Sequence, residues 1–273
     1  MEKSDIAYAK SLTDIEGWGH LEEDFERFLS LDPAGCYVAW YDGERAGIVT
    51  SVSYGDRAFL GNLIVRKDRR GMGIGVKLME EAIGHLDRRR MKTIELDGVF
   101  KAVQTYRLLG FKDKYLSLRF ARQASEGSFN KEPNSVECVQ DIEEILSFDR
   151  QKTGIDRKDF LMDLLNGQAD TTYISRQRDI CGYVVTRERE TGVLHIGPMV
   201  AGDASTASDL MTAICAKHGD RNLTIGVPCI HTAAVSVVMK HGFLHRPPSL
   251  RMFRGSRMEY ERNVYAIVSA DAG

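Results

Sequence analysis

Residues 63–79, LIVRKDRRGMGIGVKLM, constrain this chain more than any other stretch. A branched apolar run (Leu63, Ile64, Val65) meets a charged turn, glycine recurs at Gly71, Gly73 and Gly75, and an amphipathic stretch follows. Strand, glycine loop and helix start together make an anion cradle. Glycines let the backbone come close, several N–H groups point one way, and the positive end of the helix dipole faces the ligand. Arg69 and Arg70 stand at the mouth, and no carboxylate follows them before Glu80. The spacing excludes two common phosphate loops. A P-loop needs Lys then Ser or Thr after its last glycine, where this chain has Val76 and Lys77. A dinucleotide fingerprint needs Gly or Ala three residues past its second glycine, and Val76 holds that place. A plain glycine turn opening a helix is the other reading of the loop taken alone.

Arg70-Gly71-Met72-Gly73-Ile74-Gly75 resembles the Arg/Gln-x-x-Gly-x-Gly/Ala pyrophosphate loop of the GNAT superfamily of N-acetyltransferases. About thirty residues on, Ala102, Tyr106, Gly110 and Phe111 form A-x-x-x-Y-x-x-x-G-F, which is similar to the second GNAT signature. Ala102 and Tyr106 share a helical face, and Gly110 suits the position just past a helix end. Between the motifs, residues 93–97 alternate as a strand. The resemblance implies acetyl-CoA as donor. It places pantetheine on the backbone of Leu63, Ile64 and Val65, pyrophosphate on Arg70, Gly71, Met72, Gly73, Ile74 and Gly75, and the sulfur beside Tyr106. Many members carry Asn where this chain has Val99.

At 273 residues the chain fits two domains, and the second half echoes the first. Gly110-Phe111 recurs 132 residues later as Gly242-Phe243. The same offset matches Ala102 with Ala234, Leu78-Met79 with Leu210-Met211, and Ser117-Leu118-Arg119 with Ser249-Leu250-Arg251. Val65 instead matches Val200, so three residues are missing, and they are missing from the phosphate loop. Its counterpart, residues 201–206, has no arginine, one glycine and an added Asp203, and Val238 replaces Tyr106. The expected fold is therefore α/β: tandem GNAT-like folds, each a mixed, mostly antiparallel central sheet flanked by helices. The first, 1–123, binds the cofactor; a polar linker covers 124–134; the second, 135–273, is degenerate. Further expected elements are helices at 22–29, 141–148 and 157–165, the last ended by Asn166-Gly167, and strands at 136–139 and 264–268.

Bulk properties narrow the partners. With 43% hydrophobic and 28% charged residues and a formal charge of −2, nothing suggests nucleic acid. The run Arg88-Arg89-Arg90 reads as the cationic end of the helix begun at Gly73. Five scattered cysteines, never C-x-x-C, argue against a metal or disulfide framework. A charged opening and no membrane-length apolar run give the expectation of a cytoplasmic protein without a membrane partner.

Acetyl transfer needs a held donor, a neutral nucleophile, a polarised carbonyl and a protonated leaving group. By resemblance, a backbone N–H near Ile64 and Val65 polarises the thioester oxygen and Tyr106 protonates the thiolate. The acceptor expected is a small-molecule or peptide amine. Asp97 is the leading candidate for the base, with Glu95, Glu22 and Asp24 as alternatives. Trp18, in Gly17-Trp18-Gly19-His20, either walls an acceptor pocket or plugs the core; His20, His195 and His231 have no ligand spacing. A non-catalytic acyl-CoA sensor or partner-docking module is the rival reading.

Overall fold

The structure, a computed structural model, describes residues 1–125, 133–139, 141–166, 171–190 and 192–273. Most of the linker expected at 124–134, and Gly167 at the expected end of a helix, lie outside the described residues. Two compact units emerge, and neither is a contiguous half of the chain. Unit 1 comprises Met1–Lys114, Leu250–Met258 and Ala270–Gly273; unit 2 comprises Tyr115–Ser249 and Glu259–Ser269.

Unit 1 begins with α1 (Ile6–Ile15) and α2 (Glu22–Leu31), then β1 (Tyr37–Tyr41), β2 (Glu44–Tyr54) and β3 (Arg57–Val65). Next come α3 (Ile74–Arg88), β4 (Thr93–Gly98) and α4 (Val103–Leu108). Its strands run in the order β1-β2-β3-β4, and only β3 and β4 are parallel. Apolar periodicity explains the layers. Ile6, Ala9 and Leu12 of α1 pack with Phe25 of α2 on Ile48 and Ile64, one face of the sheet. Ile74, Leu78, Met79, Ala82, Ile83 and Leu86 of α3 cover the other, against Ala58, Leu60, Ile94 and Leu96. The helix expected from Gly73 onward begins at Ile74, with Gly73 as a left-handed N-cap at φ 80°.

The chain continues through β5 (Lys112–Arg122), β6 (Val136–Cys138), α5 (Ile142–Thr153), α6 (Lys158–Leu165), β7 (Thr172–Arg176), β8 (Ile180–Glu188) and β9 (Leu194–Ala201). It ends with α7 (Ala204–His218), β10 (Leu223–Pro228), α8 (Thr232–Lys240), β11 (Leu244–Gly255) and β12 (Val264–Ala266). Unit 2 has the strand order β6-β7-β8-β9-β10-β5, with β12 on β9, and again one parallel pair, β9 with β10. The tandem fold read from the repeat is present down to its caps. Phe111 N–H donates to the Tyr106 carbonyl at 3.0 Å past Gly110 (φ 87°), and Phe243 N–H to the Val238 carbonyl at 3.4 Å past Gly242 (φ 80°). Helix α5 runs to Thr153, five residues beyond 148, because Asp149 is buried and bonded to Arg157 and Tyr183 until Gly154 ends the helix at φ 69°.

Each unit takes a strand from the other half of the sequence. Leu250–Gly255 pair antiparallel with β4 in unit 1, while β5 pairs antiparallel with β10 in unit 2. Leu250 and Met252 enter the α3 core, so Arg251 points to the opposite face, where it is fully buried. There its Nε and Nη2 donate to the two oxygens of Asp97 at 2.9 and 3.0 Å, and Nη1 donates to Glu95 at 3.4 Å. Glu95 also accepts from Arg57 at 2.5 Å and Lys114 at 2.7 Å. Burial pushes the Glu95 carboxyl up, but Arg57, Arg251 and Lys114 outweigh it and hold it at about 2.

Removing one partner of a buried ion network strands the others. Glu95→Gln should therefore cost about 3–5 kcal/mol, read as a lower urea midpoint at pH 7. Because the folded-state carboxyl lies below its ordinary 4.5, its stabilisation is present above that pH and fades toward pH 2. The gap between wild type and Glu95→Gln should shrink over that window; a gap independent of pH would refute the network's role.

Candidate active site

Strands β2 and β3 pair in register until a bulge: Thr50 faces Gly61 and Ile48 faces Ile64, so Asn62 and Leu63 together oppose Val49 alone. Asn62 takes a left-handed φ of 52° and donates through Nδ2 to Thr50 Oγ1 at 3.0 Å. A bulge bends and twists its strand, and here the bend parts β3 from β4. Their pairing ends at Leu60 with Leu96, although β3 runs on to Val65 and β4 to Gly98. The backbone of Gly61 to Val65 thus faces a gap on its β4 side.

The glycine loop opens at the far end of that gap. Gly71 and Gly73 both have φ of 80°, and a side chain at either would project into open space. Gly75, in the first turn of α3, lies where an added Cβ would touch Val65 at 3.4 Å, so its smallness brings the helix start onto the end of β3. No side chain caps α3, leaving its first N–H groups pointing out of the loop. Met72 is exposed, and Ile74 is buried in the α3 core. These features fit an anionic group approached by backbone donors.

The arginines at the mouth have carboxylate partners from other elements. Arg69 lies 3.6 Å from Glu44 and 3.7 Å from Asp68, over the Tyr41 ring. Arg70 donates to the Val65 carbonyl at 2.9 Å and to Glu16 at 2.5 Å. The Glu16 carboxyl is lowered chiefly by that Arg70 bond, with Lys101 and Lys67 adding to it. A window confined to the loop's own neighbourhood misses Glu16, which is 54 residues away.

Tyr106, on α4, lies at the β4 side of the gap. Its ring packs on Gly98, where a Cβ would meet it at 2.9 Å, and stands edge-on to Phe111. Burial pushes the phenol up to about 12, so it stays protonated throughout the neutral range. Among the described residues its hydroxyl has no hydrogen-bond partner. The exposed Val99 and Phe100 follow at the end of β4.

The carboxylates considered as bases are otherwise engaged. Asp97 gives both oxygens to Arg251, and Glu95 sits among three cations; neither presents an oxygen to the gap. Asp24 accepts from the Leu21 N–H and from Arg27, and Glu22 is exposed on the first turn of α2. Trp18 is 37% exposed, which rules out a core plug. His20 is buried, with Nε2 at 2.9 Å from Asp271. No group of His, Cys, Asp and Glu among the described residues could hold a metal ion, and no helix is long and apolar enough to cross a membrane.

Unit 2 repeats the scaffold and closes it. Its bulge lies at the same place, with Gly197 and Pro198 of β9 opposing Val185, and β9 pairs with β10 only from Leu194 to Ile196. Beyond that point β12 takes the vacated edge, pairing Val264 with Val200 and Ala266 with Met199, and the Ile267 N–H donates to the Gly226 carbonyl at 3.0 Å. Asp203 caps α7 by accepting from the Thr206 N–H at 2.8 Å, so this helix start is already satisfied. His195 is buried, its Nε2 donating to the Val268 carbonyl, and burial with Arg189 and Arg187 nearby holds it well below the usual histidine range. His231 caps α8 through Nδ1. Both are structural.

Known proteins share these units. The pattern described as "Acetyltransferase (GNAT) family" matches residues 7–111, and that described as "Acetyltransferase (GNAT) domain" matches residues 145–266. Holothin acyltransferase of Pseudoalteromonas sp. (strain SANK 73390) is 27% identical over 266 residues, 94% of this chain and 88% of that protein. A protein of Pyrococcus horikoshii assigned as an acetyltransferase superposes with a TM-score of 0.84 at 22% identity, covering 100% of this chain and 94% of that one. A GCN5-related N-acetyltransferase from Sphaerobacter thermophilus superposes at 0.67 with 14% identity, covering 94% and 96%. With one GNAT unit in each half of its sequence, this chain belongs to the GNAT acetyltransferase family.

Proposed function

We propose that unit 1 transfers an acetyl group from acetyl-CoA directly to a primary amine of a small molecule or peptide, and that unit 2 binds no CoA. The observation that carries this reading is the contrast between two equivalent gaps, one open beside a glycine loop and Tyr106, the other closed by β12. Likeness to a relative named for acyl transfer to holothin favours catalysis over the sensor reading. The backbone of Leu63, Ile64 and Val65 would hold pantetheine, and the loop from Arg70 to Gly75 the pyrophosphate. Acetyl-CoA, when bound, supplies the thioester. Unpaired N–H groups of β3 stabilise the negative charge that develops on the thioester oxygen. Tyr106, neutral and without a competing partner, holds the proton for the leaving sulfur. Asp97 has a positioning role here: it fixes Arg251 and with it the strand that flanks β4.

Two experiments test the donor and the acid. Gly73→Asp adds a side chain and a like charge where backbone donors meet phosphate, so CoA affinity should fall at least a hundredfold by calorimetry. Wild type in the same titration should bind one CoA per chain; undiminished affinity in the variant, or two equivalent sites in wild type, would contradict the assignment. Tyr106→Phe should leave the CoA Kd within about threefold and lower kcat about 10² to 10⁴-fold, the range of general acid catalysis. Full turnover in that variant would reduce Tyr106 to packing.

A further inference from the structure

The amine must lose a proton, and the carboxylates around the gap are tied to cations. One buried group is differently placed. His20 is 3% exposed, its Nε2 is bonded to Asp271 at 2.9 Å, and its Nδ1 is buried with no hydrogen-bond partner among the described residues. Since the carboxylate of Asp271 accepts, Nε2 carries the proton and Nδ1 presents a lone pair. A buried acceptor left unmet is costly, and a bound N–H donor would recover that cost.

Its position follows from two anchors. At one end of the segment from Glu16 to His20, Glu16 is bonded to Arg70, which also holds the Val65 carbonyl. At the other end, Asp271 holds His20, and the Asp271 backbone lies where a Cβ on Gly61 would meet it at 2.4 Å. Gly61 and Val65 bound the part of β3 left unpaired by β4, a stretch of roughly 13 Å at strand spacing. The segment therefore runs along the open gap, with His20 beside the point where the strands part. It lies on the α1 and α2 face, 5.7 Å from the Phe25 ring, whereas Tyr106 packs in the α3 core on the other face.

Resting on the acetyl-transfer reading above, we infer that His20, oriented by Asp271, is the general base for the acceptor amine. The neutral amine nitrogen bonds the thioester carbon and gives one proton to His20 Nδ1. The C–S bond then breaks, and sulfur takes the proton of Tyr106. The imidazolium proton returns through solvent to the phenolate, so the sum is amine plus thioester to amide plus thiol. Asp271 balances the transient imidazolium charge. The half-exposed Trp18, between Gly17 (φ 71°) and Gly19 (φ 65°), has its ring 6.2 Å from that of His20.

The test uses acetyl-CoA with benzylamine, aniline, lysine and spermidine as acceptors, carrying the fastest forward. Wild-type kcat/KM should fall at low pH. His20→Gln should lower kcat about 10² to 10⁴-fold, with the CoA Kd within twofold, and lose that acid limb. Asp271→Asn removes the charge that balances the imidazolium, so kcat should fall at least tenfold while the CoA Kd stays within twofold. A second readout needs no variant and no turnover: nitrogen-15 histidine spectra should show His20 as the Nε2–H tautomer, with Nδ1 perturbed when the amine is added to the CoA-bound protein. An unchanged acid limb in His20→Gln, or an Nδ1–H tautomer in wild type, overturns the inference while the transfer reading stands. If none of the four amines accelerates thiol release, the transfer reading fails and this one with it.

Discussion

Unit 1 depends on the guanidinium of Arg251. It lies fully buried, held by both oxygens of Asp97 and by Glu95, while Glu95 ties in Arg57 and Lys114. Bare burial of so many charges is costly, and such a network is tolerable only when every member is matched. Its consequence is topological. A strand from the end of the sequence becomes part of the unit that carries the glycine loop, 154 residues from its partner Asp97. A chain cut near residue 125 would keep the glycine loop and Tyr106 yet lose Arg251, leaving Glu95 and Asp97 short of their counter-charge. The equivalent arginine in unit 2, Arg119, donates to Ser249 at 2.8 Å and pairs in register with Gly226. The exchange of strands is symmetric between the two units.

A second constraint is common to both units. Two parallel strands that diverge after a bulge expose backbone groups that must find partners. Unit 2 satisfies them internally with β12 and with the Ile267 bond to Gly226. Unit 1 keeps the same bulge, at Asn62 and Leu63, and leaves the gap open. The three residues missing from the counterpart of the glycine loop, the Asp203 cap and the β12 pairing all point the same way: each satisfies a backbone group or fills space that unit 1 leaves open. The difference between the two units is built from three local changes on an otherwise shared frame.

Local structure was legible in the sequence, and long-range pairing was not. The 70–75 loop, the helix bearing Tyr106, its glycine cap and the tandem repeat rest on patterns within about ten residues or on a constant offset, so they survive reading one residue at a time. The exchange of β5 and β11 has no such signature. Their matched Ser-Leu-Arg segments carry the same pattern, and nothing local says which sheet each joins. Ion partners failed for a related reason: Arg70 finds Glu16, and Asp97 finds Arg251, across 54 and 154 residues. Asp97 reads from the sequence as a strand-end carboxylate suited to a base, and its pairing with Arg251 has no local signal. His20 looked solitary because Asp271 stands 251 residues away.

On the proposed chemistry, the placement of acid and base on opposite faces of the gap has an energetic reason. With the phenol near 12 and a free thiol near 8.5, protonation of the thiolate by Tyr106 is uphill by about 3.5 pH units, or ~5 kcal/mol. The burial that raises the phenol also raises a thiolate held beside it, so the two move together and the difference narrows. A base on the same face would place an imidazolium near that phenol and stabilise the phenolate, making Tyr106 surrender its proton early. Across the gap, paired with Asp271, the imidazolium is neutralised locally and the phenol keeps its proton until sulfur needs it. Separation of the two groups by the sheet thus keeps each in the protonation state its step requires.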